Sequence, residues 1–463
     1  MKRDILIETI YKAEQELPLH NWKLGEIHFW PILKRDLVMQ IINDEENIKP
    51  DKEISKNLFK KIYCGIIEWC RIKSVKSKEY FFLSNKAYFR ERIEKVSYNK
   101  HFDPILDELS QGTIIQEIDK INQGDYYKKN RILFTGDYFY LREFVFSRFK
   151  RFYKKPKVDN SILVKIYEIF DASGFGISAK KILKSDLLIN RWLFINNYKK
   201  FYIKLFNALK TKTVVLLCYY SGNETFGATI AATKLGIKCY DLQHGPVNSQ
   251  HPLYTGYTNA PIHGYNSIPK KFLCWSKNDI ENVNLYNRSE FVKNHNALYF
   301  GHPWISFVNR LQIDVSLPKN IALFSAQPLS EPFNEELFEL IQETQNKYSW
   351  FIRLHPRQLN DLEKYNSLLQ KKYTNFNIID ASKLPLPVIL SNTILHVTRF
   401  SGVAIEASLF KIPTIFIDDR GVEGNKQLIE NGYAFNYKDI DLRNIPAKED
   451  LFETSTIDIS AIM

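Results

Sequence analysis

The sequence predicts an α/β fold in which two open-sheet domains follow a helical amino-terminal segment. Three observations carry this reading. The chain has 463 residues, more than one hydrophobic core ordinarily supports. Short apolar runs bounded by turn residues alternate with stretches of helical periodicity, the pattern of a parallel sheet with crossover helices. That alternation occurs in two blocks, separated by a stretch rich in Pro, Asn and Gly.

Residues 1–75 read as helices, with apolar residues at helical spacing in Ile5, Leu6, Ile10 and Tyr11 and again in Ile32, Leu33, Leu37 and Ile41. The block 76–265 holds apolar runs at 80–83, 113–115, 132–134 and 214–217. Its clearest unit is 214–245, where a buried strand leads through Ser221-Gly222-Asn223-Glu224 into a helical pattern closed by Gly236. The strand at 238–242 follows, so Gln243-His244-Gly245 falls beyond a strand's carboxyl end, the edge at which open α/β sheets bind ligands. Residues 266–315 are expected to connect the domains. The second block, 316–440, has strand-like runs at 321–324, 350–354, 394–397 and 415–417, and 441–463 forms a carboxyl-terminal tail.

The formal net charge is +12, which suits anionic partners such as nucleotide phosphates or an anionic membrane surface. No RNA-binding signature, zinc-finger spacing or heptad run is present, so nucleic acid is not expected as a partner. The five cysteines are scattered without a CxxC pair, which speaks against a disulfide framework or a structural zinc site and for a reducing, cytoplasmic compartment. No signal-peptide core and no apolar run of membrane-spanning length occurs, so any membrane contact, on the inner face of the cytoplasmic membrane, is expected to be peripheral.

The motif Val397-Thr398-Arg399-Phe400-Ser401-Gly402 followed by an apolar helical pattern feeds a strand through Ser-Gly into a helix, which points backbone N–H groups at one place and suits a phosphate. Glu406 then falls within reach of sugar hydroxyls. The bland reading is an N-cap, a tight turn and a solvated glutamate. Arg353-Leu354-His355-Pro356-Arg357 ends another strand of the same block and concentrates cationic side chains that can bind phosphate. Taken alone, that stretch is equally readable as a surface loop with solvated charges.

With these turns in hand, the chain resembles the bacterial surface-polysaccharide glycosyltransferases of GT-B fold. These include the capsule-type transferases that use CMP-linked Kdo or sialic acid, and the related CDP-glycerol glycerophosphotransferases of teichoic acid synthesis. The resemblance spans about residues 210–430 and rests on Gln243-His244-Gly245, His355-Pro356 and Ser401-Gly402 with Glu406-Ala407. It departs from the teichoic-acid pattern in lacking the tryptophan expected beside Gln-His-Gly, and the paired acids plus Gly of some sialyltransferases are missing. The resemblance implies two Rossmann-like domains facing a cleft, with a nucleotide-sugar donor at His355, Pro356, Ser401 and Gly402. Arg353, Arg357 and Glu406 join this donor set from the residue reading, and Gln243 and Gly245 are assigned to the acceptor side.

Glycosyl transfer requires a base for the acceptor hydroxyl and stabilisation of the departing phosphate. His244, with a near-neutral intrinsic pKa, is the first candidate for the base, ahead of Glu224 and Asp137. A lone loop histidine is also readable as structural. No cofactor and no metal is expected, since the nucleotide sugar is itself a substrate. Asp439-Ile440-Asp441 reads as a solvated turn rather than a metal motif.

The acceptor is expected to be a growing surface polysaccharide or a lipid-linked glycan. Alternatives are a CDP-polyol phosphotransferase, a sugar-nucleotide epimerase and a non-catalytic glycan- or nucleotide-binding assembly protein. The segment 142–157 interleaves seven basic with five aromatic residues, and fits either an anionic lipid surface or a helix whose aromatics face the core.

Overall fold

The computed structural model describes residues 2–45, 58–74, 79–84, 91–93, 96–109, 113–116, 132–134, 137–311, 315–371, 373, 375–440 and 457–463. They fall into two compact units. The first comprises Met1–Arg90, Ser97–Phe300 and Asp458–Met463, and the second Glu91–Val96 and Gly301–Ile457.

The sheet of the first unit has seven strands: β1 (Tyr80–Ser84), β2 (Thr113–Gln116), β3 (Ile132–Phe134), β4 (Thr213–Leu217), β5 (Lys238–Leu242), β6 (Lys271–Cys274) and β7 (Asn296–Tyr299). Their spatial order is 3-2-1-4-5-6-7, and every pairing is parallel. The sheet of the second unit is formed by β8 (Ile321–Ser325), β9 (Ser349–Arg353), β10 (Phe376–Asn377), β11 (Thr393–Thr398), β12 (Thr414–Phe416) and β13 (Ala434–Asn436). It repeats the order, β10-β9-β8-β11-β12-β13, again all parallel. Both are doubly wound Rossmann-type sheets, in which the strand order reverses between the first and fourth strands and opens a ligand crevice at their carboxyl ends. Two such units in sequence are the composition of a GT-B protein. Their central strands are mainly apolar, as in β4 and β8, where every residue is buried, because helices cover both faces.

The amino-terminal helices α1 (Lys2–Glu16) and α2 (Trp30–Glu45) belong to the first unit rather than standing apart from it. Leu6, Ile10 and Ala13 of α1 and Leu33, Leu37 and Ile41 of α2 share one buried cluster with Phe81 of β1 and Val214 and Leu216 of β4. The two helices are also tied by a buried ion pair, Lys34 Nζ to Glu14 Oε1 at 3.0 Å. The same ammonium lies 3.6 Å from the Tyr257 ring centroid and donates to the Gly256 carbonyl. Glu14 accepts from Trp30 Nε1 at 2.7 Å and from the Thr258 N–H at 2.8 Å, so the charges are paired and hydrogen-bonded as burial demands.

Further helices are α3 (Leu58–Ser74), α4 (Asp103–Leu109), α5 (Asp137–Phe149), α6 (Asn160–Ala172), α7 (Gly176–Ile182), α8 (Ser185–Leu209) and α9 (Asn223–Leu235). Gly227 lets α8 and α9 touch: a Cβ there would stand 2.4 Å from Tyr198 Cβ and 3.0 Å from the Lys199 backbone nitrogen.

Two expected boundaries shift. Residues 266–300 do not connect the domains but supply β6 and β7 to the first sheet, with α10 (Lys277–Leu285) and α11 (Ser289–Asn294) between them. The divide falls at Phe300 and Gly301, and α12 (Pro303–Leu311) belongs to the second unit. The sequence leads one to expect a single strand–helix pair in this stretch, and its Pro, Asn and Gly content reads as a connection, whereas two four-residue strands lie there. The last residues are no loose tail either. The Asp458 N–H donates to the Phe300 carbonyl at 2.8 Å, and the Ile462 side chain is fully buried in the first unit. Residues 441–456 lie outside the described residues.

The second unit is completed by α13 (Glu335–Thr344), α14 (Leu362–Gln370), α15 (Ile379–Lys383), α16 (Leu386–Leu390), α17 (Val403–Leu409), α18 (Asp419–Gly424) and α19 (Lys426–Glu430). Apolar clusters line both faces of its sheet.

Candidate functional site

In the first unit the chain leaves β4 through Cys218, whose φ of 64° is left-handed backbone that a non-glycine residue rarely adopts. This turn brings the Tyr219 N–H to Asp241 Oδ1 on neighbouring β5 at 2.8 Å. Asp241 Oδ2 accepts from the Tyr254 hydroxyl at 2.6 Å, and the Tyr254 oxygen lies 3.3 Å from His244 Nδ1. On the other side of that ring, Nε2 stands 3.4 Å from the Tyr220 hydroxyl, which is also 3.0 Å from His251 Nε2. A continuous chain of polar groups therefore runs from the buried Asp241 through His244 to His251.

Burial sets the protonation of this chain. It pushes Asp241 up to about 8. It lowers His244 to about 4, with the charge of Lys100 adding to the effect, so His244 departs from the near-neutral value its residue type suggests. His251 is lowered to about 3 by burial and then by His244 and Arg3. Both imidazoles are therefore neutral at physiological pH, and their burial makes them weaker bases than a solvated imidazole. When Asp241 is ionised, it accepts the Tyr254 O–H hydrogen bond; the Tyr254 oxygen then accepts from Nδ1–H of His244, which leaves Nε2 as the unprotonated nitrogen.

Gln243 is buried and fully engaged inside the unit. It donates to the Gly245 carbonyl and to Asp279 Oδ1, both at 3.0 Å, and accepts from the Trp275 N–H at 2.8 Å. It pins the loop that carries His244 to β6 and α10. Gly245 has open space around it. Glu224 opens α9 at the carboxyl end of β4, its carboxylate folded back over Gly222. Burial raises its pKa and the charge of Glu143 adds to this, while Arg191 and Arg35 oppose it. Glu224 thus belongs to a charged cluster on α2, α5 and α8 in which Arg191 pairs with Asp36 at 3.2 Å and donates to Asn223 at 2.8 Å. Asp137 is the first residue of α5, and its side chain lies outside the described atoms.

In the second unit the two sequence motifs stand at the carboxyl ends of β9 and β11, on either side of β8. His355 is half-buried and its Nδ1 accepts from the Arg357 N–H at 3.2 Å, capping a short 3₁₀ turn that Pro356 opens. Pro356 and Arg357 are exposed. Ser401 Oγ accepts from the Val403 N–H at 3.3 Å, and the Ser401 N–H donates to Thr398 Oγ1 at 3.2 Å. Thr398 in turn donates to the Ser325 carbonyl and accepts from Gln327, which ties the ends of β8 and β11 together. Gln327 Oε1 is buried without a hydrogen-bond partner among the described residues.

Two members of the expected donor set are engaged elsewhere. The Arg353 guanidinium donates to the carbonyls of Ala381 and Leu384 at 2.6 and 2.7 Å, where it ties down the end of α15. Glu406 is buried rather than solvated, with Oε1 3.4 Å from His302 Nε2. The helix bearing it, α17, starts at Val403, so Glu406 is one turn in and faces the unit's interior.

Beside the exposed Arg357, the cationic character of this edge comes from two residues outside the predicted set. Arg399 donates twice to Asp418 Oδ2, at 3.0 and 2.9 Å, and Arg420 shares that carboxylate while stacking 4.0 Å over the Phe400 ring. Burial alone would raise the Asp418 pKa, but the hydrogen bonds from Arg420 and Arg399 bring it below the usual value. Gly421 is needed for this packing, since a Cβ there would meet the Arg399 carbonyl oxygen at 2.1 Å. Arg399 was visible in the Ser-Gly motif. Arg420 lies beyond the next strand, and only the strand order brings it alongside.

Asp439 is exposed at the end of a 3₁₀ turn, and Asp441 lies outside the described residues. Among the described residues no group of three His, Cys, Asp or Glu side chains could hold a metal ion, and no helix is long and apolar enough to cross a membrane.

No protein-family model matches the chain, and no curated protein matches it. Among solved structures, it is similar to the UDP-GlcNAc 2-epimerase of Neisseria meningitidis bound to UDP-GlcNAc, at 13% identity over 77% of this chain and 86% of that one, with a TM-score of 0.41. The UDP-GlcNAc 2-epimerase of Methanocaldococcus jannaschii is similar at 14% identity over 77% and 88%, with a TM-score of 0.39. The wall teichoic acid polymerase TagF is similar at 10% identity over 88% and 85%, with a TM-score of 0.42.

Proposed function

We propose that the protein is a glycosyltransferase that moves a sugar from a nucleotide-sugar donor, with a CMP-linked sugar as one candidate, to a growing surface polysaccharide or a lipid-linked glycan. The observation that carries this reading is the position of His355-Pro356 and Ser401-Gly402 on the two strands flanking β8, at the point where the strand order of the second sheet reverses. Ligands of doubly wound sheets bind at that crevice. Arg357, Arg399 and Arg420 add positive charge along the same strand ends, which suits the phosphates of a nucleotide.

In the reaction, an acceptor hydroxyl oxygen attacks the anomeric carbon, the bond from that carbon to the phosphate oxygen breaks, and the nucleotide leaves as an anion. The hydroxyl proton passes to Nε2 of His244, whose orientation Tyr254 and Asp241 hold from behind. Arginine side chains near the donor stabilise the departing phosphate. No metal enters this scheme, and transfer is expected to persist in the presence of EDTA.

A thermal-shift panel of CMP, CDP, UDP and GDP tests the donor site, because a ligand of the folded state raises its stability. One nucleotide is expected to shift the wild type and to shift His355→Ala less. Product analysis then separates the reactions. Sugar addition with nucleotide release supports glycosyl transfer, CMP release with a phosphodiester product indicates polyol phosphate transfer, and an altered free nucleotide sugar indicates epimerisation. Binding without turnover across a donor panel would identify a non-catalytic assembly protein.

A further inference from the structure

Helix α3 of the first unit buries Ile72 and packs Trp69 against the core, yet it also carries an apolar stripe on its outer side. Phe59, Tyr63, Ile66 and Ile67, at positions i, i+4, i+7 and i+8, form one apolar stripe and are 85%, 66%, 50% and 44% exposed. The side of α3 that packs inward carries the carboxylate of Glu68, which is buried and accepts from the Tyr138 N–H at the start of α5. Trp69 stacks on Tyr138 with ring centroids 4.7 Å apart, so α3 and α5 are neighbours.

Helix α5 and the turn after it carry exposed apolar side chains of their own. Phe146 faces the core and Arg142 is held by Asn197, but Val145, Phe149, Phe152 and Tyr153 lie in solvent. Around them Arg148, Arg151, Lys154, Lys155 and Lys157 are exposed, and residues 144–158 contain no acid.

We infer that α3 and the segment 145–157 form a surface that lies on an anionic lipid bilayer, with the aromatic and aliphatic side chains entering the headgroup boundary and the basic side chains meeting lipid phosphates. Mixed aromatic and basic composition is what such an interface selects. A second copy of the chain fits less well, because a twofold contact through this surface would set its cations against their own copies. The inference does not depend on the glycosyl-transfer reading, since lipid binding needs no donor.

Sedimentation of the full chain with vesicles provides the test. The protein is expected to partition onto equimolar phosphatidylcholine–phosphatidylglycerol vesicles, to be released by salt, and to ignore phosphatidylcholine alone. Arg148→Gln with Arg151→Gln should lower partitioning by roughly twentyfold, about fivefold for each charge. Phe149→Ser with Phe152→Ser should lower it by at least about tenfold. All four side chains are exposed, so thermal stability should be unchanged, and either pair alone suffices if the other fails to fold. Equal partitioning onto both vesicle types, or wild-type partitioning by both double variants, would overturn the inference. So would a dimer that Phe59→Ser with Tyr63→Ser dissolves, in a protein that binds no vesicles.

Discussion

At the carboxyl end of β4 and β5, the first unit links the buried Asp241 and Tyr254 to the half-buried His244, Tyr220 and His251 as one hydrogen-bonded chain. At the carboxyl ends of β11 and β12, the second unit instead gathers Arg399, Arg420 and Asp418 beside the Ser401 turn. The strand order around these two places is the same, so topology supplies a crevice in each case and side chains decide its chemistry. Neutral imidazoles suit the handling of a proton, while arginines at strand ends suit an anion. On the proposed function the two edges divide the labour, and that proposal can be broken at either end.

The largest effect is expected from His244→Ala, which removes the base and should lower turnover by about 10²- to 10⁴-fold. The nucleotide-induced thermal shift should be retained, because the second unit is untouched. If turnover survived, the polar chain of the first unit would be a packing device and the division of labour would fail.

Next in size is Lys34→Ala. It leaves the buried Glu14 carboxylate without its ion partner, and the cost is about 3–5 kcal/mol for breaking such a pair. Denaturant unfolding measures the total and hydrogen exchange assigns it to a unit. The loss should fall on the first unit, whose sheet shares its core with α1 and α2. An equal loss of protection in both units would mean that the amino-terminal helices are not specific to the first.

That result bears on what the sequence makes legible. The strands of both sheets are readable wherever apolar runs are clean, as at 80–83, 214–217 and 321–324, because strands buried on both faces need such runs. The ends of β9 and β11 are legible as His-Pro and Ser-Gly turns. The strand order is not, since crossover partners are set by packing between distant segments. For the same reason Tyr254, His251 and Arg420 went unseen: each meets its partners only once the strands are ordered. Arg353 and Gln243 show the converse. Their residue types suit ligand binding, yet backbone carbonyls and a buried carboxylate within hydrogen-bond reach claim them first.

Asp241 gives the comparison a pH signature. Its folded pKa is about 8 against 3.8 for an ordinary aspartate, so between those values the native state holds a proton that the unfolded chain does not. Stability from this group is therefore full at low pH and is lost as pH rises towards 8. The depressed histidines of both units act in the opposite sense, but only below about 6.5, where the unfolded imidazole takes up its proton. Between pH 6.5 and pH 8 the first unit should thus weaken by about 2 kcal/mol, at most roughly 1.4 kcal/mol per pH unit for one group. Hydrogen exchange across that range should show the slope in the first unit, with the second unit flat, and Asp241→Asn should abolish it. A slope that persisted in Asp241→Asn would assign it to another group.

The smallest effects belong to the second unit. His355 Nδ1 and Ser401 Oγ each already accept one backbone N–H, so each offers a donor nucleotide one further polar contact. Loss of one such hydrogen bond is worth about 1 kcal/mol, roughly a fivefold fall in affinity for His355→Ala or Ser401→Ala by calorimetry. The double variant is more telling. β9 and β11 are separated by β8, two strand spacings or about 10 Å, which is wider than one phosphate. The two turns should therefore hold different parts of the nucleotide and their losses should add, to roughly twenty-five-fold. If the double variant bound no worse than the weaker single, only one turn would touch the donor, and the crevice at the reversal of strand order would not be spanned as proposed.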